Sequence, residues 1–486
     1  MISLKFIKNK STLAPIFLCL IFIFNLRNNL FPDNFQQDDI AELEPIFFDR
    51  LVCAFEWGDQ HPLFSGLIWI SSKIFEWPEY FISSLVILFA IFSIALFFNF
   101  LENLFNFNLA LLGSVLLITS PIFNTYTVGL KQYNFEIFAT IFCLWFLQNY
   151  RDYIMESKYY INFVATCIGL FLLSFASAIP IAILILFLIK LNKRTFAMAL
   201  FLFVASIPLL DNLLSKLSRV SNGGYWDDFF ISTQSFNHFF ESFYFLNQLF
   251  LKTIFPIIPH PLLVFIIFLS IISVVFKRNE LVLYSFVGIV SLYFLSILNF
   301  YPLGGGRTDL LFIPFLIVLL LNFIDTFTNK ILSNEYLNFI SIFSVGYLAI
   351  ILISTTVFYK NENITPALEN IQNFYNKANV AVIVTEEQSH SLLYYSKKYY
   401  NFGRLSGENC SMTINIDNLY IQEDNKNMRE IDEIKNYYEI YLLGIELPNT
   451  TGQVRIITQQ LTQENFKLIE EKTFPGFIKM FYFNRG

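Results

Sequence analysis

Two adjacent carboxylates, Asp38-Asp39, share one stretch of the chain with Gly58-Asp59-Gln60-His61-Pro62-Leu63. On a soluble surface an acidic pair carries little information. Here it stands just beyond the first apolar segment of a chain that is mostly apolar. A carboxylate at a membrane rim can take a proton from an acceptor hydroxyl or amine. This grouping between Gln36 and Ile70 therefore points to acid–base chemistry on a lipid-borne substrate.

Composition narrows the setting in which that chemistry would occur. Apolar residues make up 55% of the 486 positions and charged residues 14%; the mean hydropathy is +0.54. These values lie outside the usual globular range and match a multi-span membrane protein. The 60 Phe, with many Ile, Asn and Lys, read as the imprint of an A/T-rich genome rather than an aromatic surface. A net charge of −6 argues against a nucleic-acid binder, which would need basic stripes. The five cysteines show no CxxC or metal-ligand spacing, and Cys19, Cys143 and Cys167 fall in predicted helices. Cys53 and Cys410 are the only two that one side of a membrane could bring together.

Lys5, Lys8 and Lys10 precede an apolar run that fits a signal peptide or a first span. No small-residue cleavage site follows and many spans do, so an uncleaved helix is expected. Reading on for about 20 mostly apolar residues per span gives eleven expected helices. They centre on 13–26, 80–98, 109–122, 135–147, 161–175, 178–191, 196–210, 261–276, 281–300, 310–324 and 336–358. With the N-terminus in the cytoplasm, the inner side receives Lys5, Lys8, Lys10, Arg151, Lys158, Lys190, Lys193, Arg194, Lys277, Arg278 and Lys330. The outer loops carry fewer cations over a greater length, which is the positive-inside bias.

Three outer regions are too long to be turns: residues 27–79, residues 211–250, and everything after Lys360. In the first, Ala41–Trp57 and His61–Trp77 both read as amphipathic helices that could lie on the membrane surface. The second contains Gly223-Gly224-Tyr225-Trp226-Asp227-Asp228. Residues 361–486 hold more than a third of the 32 basic and 38 acidic residues, so they read as a soluble domain. Strand patterns at Ala378–Val384, Ile440–Ile445 and Phe477–Tyr482 alternate with helical spacing at Ser389–Tyr400 and Gly452–Phe466. A small α/β domain is expected, following a membrane domain of residues 1–360. It shows no Gly-rich phosphate loop and no nucleophile–base pair, so accessory recognition or packing is its default role.

Taken in order, several short motifs resemble the GT-C superfamily of membrane glycosyltransferases. The likeness is to the protein O-mannosyltransferase and aminoarabinose-transferase branch. Asp38-Asp39-Ile40-Ala41 is similar to that branch's acidic pair, and His61-Pro62-Leu63-Phe64 to its His-Pro-Pro-Leu element. Leu117-Ile118-Thr119-Ser120-Pro121 followed by Lys131-Gln132-Tyr133 resembles a second conserved layout. Tyr301-Pro302-Leu303-Gly304-Gly305-Gly306-Arg307, leading into Leu311-Phe312-Ile313-Pro314, resembles a late outer loop whose Arg precedes a span. The chain departs from the pattern in Asp39, where Glu is usual, in Leu63, where Pro is, and in lacking the Arg expected near Phe81.

The resemblance implies a GT-C-like membrane domain of about eleven helices, with an extracytoplasmic α/β domain, in a bacterial plasma (inner) membrane. It implies transfer of a sugar from a polyprenyl-phosphate donor to a glycan, lipid or protein acceptor, as in cell-envelope glycosylation. Asp38, in the place of the family's leading acid, would be the base. Asp39 would orient it or share a divalent metal ion with it, and no other cofactor is implied. The pair could instead be a solvated loop or a helix N-cap. Arg307 and Lys131 are the candidate ligands of the donor phosphate, because stabilising a departing phosphate needs cations. Arg307 could equally snorkel at a helix end, and Lys131 could be an ordinary interfacial lysine.

His61 could ligate a metal or bind the acceptor, or be a structural His before Pro. Asp227, Asp228 and His238 lie in the second long loop, where they could touch the acceptor. Glu136 falls in the fourth span, where a charge is usually functional, yet near enough to its end to face water. Two rival functions remain: a transporter or flippase for lipid-linked sugars, and a polysaccharide polymerase or ligase. The first predicts paired half-repeats and charged or broken helices at mid-membrane, and the sequence shows neither repeats nor mid-span charge clusters.

Overall fold

The computed structural model describes residues 10–26, 61–150, 157–189, 227–252, 260–276, 279–304 and 307–331 of the helical part. After residue 360 it describes 380–385, 404–408, 411–415, 419–422, 439–445, 452–474 and 478–485, and five isolated positions elsewhere are also described. The expected spans at 196–210 and 336–358, the expected helices at Ala41–Trp57 and Ser389–Tyr400, and Cys53 and Cys410 lie outside this set, apart from single positions.

Along the described helical part run α1 (Lys10–Leu26), α2 (Pro62–Ile74), α3 (Pro78–Leu104), α4 (Phe107–Ile118) and α5 (Pro121–Val128). They are followed by α6 (Tyr133–Tyr150), α7 (Ser157–Leu173), a 3-10 turn at Phe175–Ser177 and α8 (Ala178–Ile189). A second 3-10 turn, Asp227–Phe229, precedes α9 (Phe236–Lys252), α10 (His260–Phe276) and α11 (Glu280–Ile297). A third, Arg307–Phe312, leads into α12 (Ile313–Ile331). Each of the other nine expected spans coincides with a helix.

Their lengths differ more than a uniform set of spans would. Among the described residues three helical stretches, Pro78–Leu104, Glu280–Ile297 and Thr308–Phe327, are long and apolar enough to cross a membrane by themselves. The pair α4 and α5 makes a fourth if it is one span bent by 57°. This fits an α-helical membrane protein.

Local chemistry explains the ends. Asn106 caps α4 by accepting the Leu109 N–H at 3.0 Å, and Asn279 caps α11 by accepting that of Leu281 at 2.8 Å. At the break, Ser120 accepts the Phe123 N–H at 3.4 Å and Pro121 opens α5, a position where its missing N–H costs nothing. The last carbonyls of α4 would be orphaned there. The Thr119 hydroxyl donates to Val115 O at 2.7 Å, and the Asn124 amide donates to Ile118 O at 3.1 Å. The kink thus has a stated cause in the Ser-Pro step.

Packing places α4 and α12 at the centre. α4 is buried from Leu109 to Ile118 with a single intermediate position, Leu111, as expected of a helix apolar all round. Of the apolar window in α12, 72% is buried, against 39% for α11. A Cβ on Gly288 of α11 would collide with the Phe315 ring of α12, so the small residue sets how closely those two helices approach.

Residues segregate into two compact units. One comprises Met1–Leu30, Gly58–Phe64 and Ile82–Phe358; the other comprises Phe31–Trp57, Ser65–Phe81 and Tyr359–Gly486.

The C-terminal part is a five-stranded sheet of β1 (Val380–Thr385), β4 (Leu419–Gln422), β5 (Glu439–Ile445), β6 (Phe466–Phe474) and β7 (Ile478–Arg485). The order is β4-β1-β5-β7-β6, and β2 (Arg404–Glu408) and β3 (Ser411–Asn415) form a separate antiparallel pair. β1 runs parallel to β4 and β5, and β7 runs antiparallel to β5 and β6. Alternate residues Ala381/Ile383, Ile440/Leu442 and Phe481/Phe483 form one apolar face with Ile457 and Leu461 of α13 (Gly452–Gln463). The intervening Val382, Tyr441, Leu443 and Met480 are buried too, which explains why these strands read as continuous apolar runs. Sequence pattern missed β6: the run expected to stay helical to Phe466 ends at Gln463, and Phe466 opens a strand.

Candidate functional site

Inside the first unit, polar side chains gather around the first turns of α6. His61, Asn124, Lys131, Gln132, Asn134, Glu136, Ser174, Ser177 and Asp309 are all buried. Apolar surroundings make this costly unless the groups hold one another. The hydrogen bonds show how segments far apart in sequence are tied.

The Ser174 hydroxyl donates to Glu136 Oε1 at 2.7 Å. In the next residue the backbone N–H of Phe175 donates to His61 Nδ1 at 2.9 Å, and the two rings meet edge-on at 4.9 Å. One turn beyond Glu136, the Thr140 hydroxyl donates to Leu311 O at 2.9 Å, which fastens the third 3-10 turn to α6. At the other side of that turn Asp309 Oδ1 accepts the Gly304 N–H at 2.9 Å. Leu303 N–H donates to Phe229 O at 2.8 Å, bringing in the second 3-10 turn. These bonds bring the loop segments before α6, α8 and α12 together.

Each residue singled out from sequence has a distinct placement. Lys131 is buried, 7% exposed. Glu136 does not face water; it is 3% exposed and bonded to Ser174. His61 is also buried, and its bond fixes the tautomer. Nδ1 accepts, so a neutral ring carries its proton on Nε2 and is a donor there. A metal ion at Nδ1 would have to displace the Phe175 N–H.

Arg307 opens the third 3-10 turn, beside the Gly304–Asp309 bond. The run Gly304-Gly305-Gly306 suggests backbone approaching a phosphate, yet Gly304 has a structural reason of its own. Its φ is +76°, and a Cβ there would stand 3.0 Å from both Leu246 O and Leu249 Cβ of α9. Left-handed backbone and close approach both demand glycine.

Asp227 begins the second 3-10 turn, and Asp228 and His238 are exposed. His238 sits in the first turn of α9, its N–H donating to Ser235 Oγ at 3.2 Å. These two exposed side chains do not join the buried group. Asp38 and Asp39 lie outside the described residues. Among the described residues no three His, Cys, Asp or Glu come together in a way that could hold a metal ion.

Sequence reading passed over Asn124, Gln132, Asn134, Ser174, Ser177 and Asp309. A signal was present in the spacing of Asn124 and Thr127, one turn apart on a short helix between two breaks. Four buried atoms of this group, Asn124 Oδ1, Gln132 Oε1, Asn134 Oδ1 and Ser177 Oγ, have no hydrogen-bond partner among the described residues. Leaving such an atom unpaired costs about 1–3 kcal/mol, a steep cost for a motif with only a packing role. No family model matches the chain, and no curated protein matches it either.

Proposed function

We propose that the chain is a membrane glycosyltransferase that moves one sugar from a polyprenyl-phosphate donor to an acceptor outside the cytoplasm. The observation that carries this reading is the gathering of His61, Lys131 and the Gly304–Asp309 loop around the start of α6. These segments hold three of the motifs that resemble GT-C glycosyltransferases, and hydrogen bonds link their neighbourhoods. In this reading eleven helices span a bacterial plasma membrane, the N-terminus is cytoplasmic and the C-terminal α/β domain is extracytoplasmic.

In the proposed reaction Asp38 takes the proton of the acceptor hydroxyl or amine. The acceptor atom bonds to the anomeric carbon as the bond from that carbon to the phosphate oxygen breaks. The lipid phosphate leaves with the bonding electrons, and Arg307 and Lys131 stabilise its charge. A single displacement inverts the anomeric centre. Asp39 orients Asp38 or shares a divalent ion with it, while Asp227, Asp228 and His238 are proposed to meet the acceptor.

A second reading, transport of lipid-linked sugar, is favoured by one observation: the 57° break between α4 and α5 beside the buried Glu136. Discontinuous helices with buried charge are what a transporter needs. Purified protein in liposomes containing polyprenyl-phosphate sugar separates the two. A glycosyltransferase releases bare polyprenyl phosphate and forms a new glycoside when acceptor is added. Sugar-lipid that changes leaflet with its phosphate ester intact would overturn the transferase reading. Reporter fusions after Asn192 and Lys277 should report cytoplasm, and those after Arg219 and at the C-terminus the outside.

A further inference from the structure

We propose that the seam between α5 and the start of α6 is the subsite for the donor's sugar hydroxyls, built from Asn124, Gln132 and Asn134. This rests on the glycosyltransferase reading and names the part of the donor that these residues would recognise. The orientation of both asparagine amides follows from their partners. Thr127 gives its one hydroxyl proton to Phe123 O at 2.7 Å, so its oxygen can only accept from Asn134 Nδ2, which lies 2.9 Å away. Asn124 Nδ2 faces Ile118 O at 3.1 Å, and a carbonyl oxygen cannot donate. Both amide nitrogens are therefore committed, and both amide oxygens point elsewhere.

Those two oxygens and Gln132 Oε1 are buried, with no partner among the described residues. Asn124 is 1%, Asn134 0% and Gln132 7% exposed. Thr127 joins them: it stands one turn from Asn124 on α5 and holds Asn134 at the start of α6. A buried group of acceptor oxygens selects a ligand that brings hydrogen-bond donors and rejects an anion. A sugar ring offers several hydroxyl donors, whereas a phosphate offers only more oxygens. Lys131 adjoins Gln132 in the chain, as the phosphate adjoins the anomeric carbon in the donor. The two ends of the donor thus meet opposite chemistries at neighbouring residues.

The test uses full-length protein in lipid nanodiscs. Its probes are citronellyl phosphate alone and the same lipid phosphate esterified to mannose, glucose, galactose, N-acetylglucosamine or arabinose. At least one glycosylated probe should bind the wild type about tenfold or more tighter than the bare lipid phosphate, the increment of two or three neutral hydrogen bonds. Asn134→Leu and Gln132→Leu should erase that increment while leaving affinity for citronellyl phosphate in place. Gln132→Glu, which keeps an acceptor oxygen, should retain part of it, and thermal melting of each variant reports folding. Should Asn134→Leu fail to fold, Gln132→Leu against Gln132→Glu decides alone.

An increment that survives these changes would overturn the subsite, as would a wild type that binds every probe alike. Binding that follows sodium concentration and depends on Asn134 would overturn it in favour of a cation site. A wild type that binds none of the lipid phosphates would instead sink the glycosyltransferase reading itself.

Discussion

The helical unit and the C-terminal sheet bury their interiors in opposite ways. In the sheet, the buried positions among the described residues are aliphatic or aromatic, and Tyr441 is the only one with a polar atom in its side chain. Among the described residues its charged pairs, Lys479–Glu471 at 2.7 Å and Lys472–Glu470 at 3.4 Å, involve the partly exposed strand β6 and its neighbour β7; on β6, last in the order, charge also discourages further strand pairing. The helical unit hides Lys131, Glu136, Asp309 and several amides in its interior. Apolar burial stabilises without specifying chemistry, whereas buried polar groups carry a cost that function must justify. The contrast supports the proposal that chemistry belongs to the helices, with packing or recognition left to the sheet.

The largest test of that contrast is Asp38→Asn. It preserves size and removes the proposed base, so transfer in a purified assay should fall by about two to four orders of magnitude. Near-normal transfer would make the acidic pair a cap or a solvated loop. Next comes Arg307→Ala, expected to weaken donor use by roughly ten- to a hundredfold through loss of charge-assisted hydrogen bonds. Arg307→Lys should remain impaired, because a point charge does not reproduce the guanidinium fork. The defect should appear with every acceptor tried, since the phosphate belongs to the donor.

Glu136→Ala leaves Ser174 without its acceptor and should cost about tenfold in transfer and roughly 1.5–3 kcal/mol in stability. Glu136→Gln, which still accepts from Ser174, should cost far less in melting temperature. The smallest effect on transfer should come from Leu442→Ala in the sheet. That change should destabilise its own domain by about 2–5 kcal/mol, read by limited proteolysis, while transfer per folded molecule stays near wild type. A loss of turnover comparable to that of Asp38→Asn would break the division between the two regions.

How much of this could be read beforehand differs between the regions for a physical reason. Apolar runs announce helices and buried strands well: the helices Phe107–Ile118 and Glu280–Ile297 and the strand Val380–Thr385 lie close to where their runs place them. The break at Ser120-Pro121 was not drawn, since the expected span 109–122 runs through it, although Ser caps and Pro starts a helix. The short helix beyond it was not drawn either, because Pro121–Val128 is too brief and too polar to announce itself as a span. β6 was missed because Phe466–Phe474 mixes charge with apolar residues at an edge. Within the site, Lys131 and His61 could be picked by type, but burial could not. Glu136 could be taken for a rim carboxylate until Ser174, on a different helix connection, was seen to bond it. Partners fixed by tertiary packing leave no trace in local spacing.

The bonds that close the site also impose an order on the molecule's making. Thr140 and Leu311 are 171 positions apart, and His61 and Phe175 are 114 apart. At about 5–20 residues per second of synthesis, the early helices of a chain inserted as it is made wait roughly ten to thirty seconds for Leu311. Throughout that interval Lys131 and Glu136 lie in a nascent chain whose enclosure is incomplete, with Ser174 made early in it and Leu311 only at its end. A ribosome stalled before residue 311 would therefore leave an early bundle carrying charged groups with no finished enclosure, a natural substrate for membrane quality-control proteases.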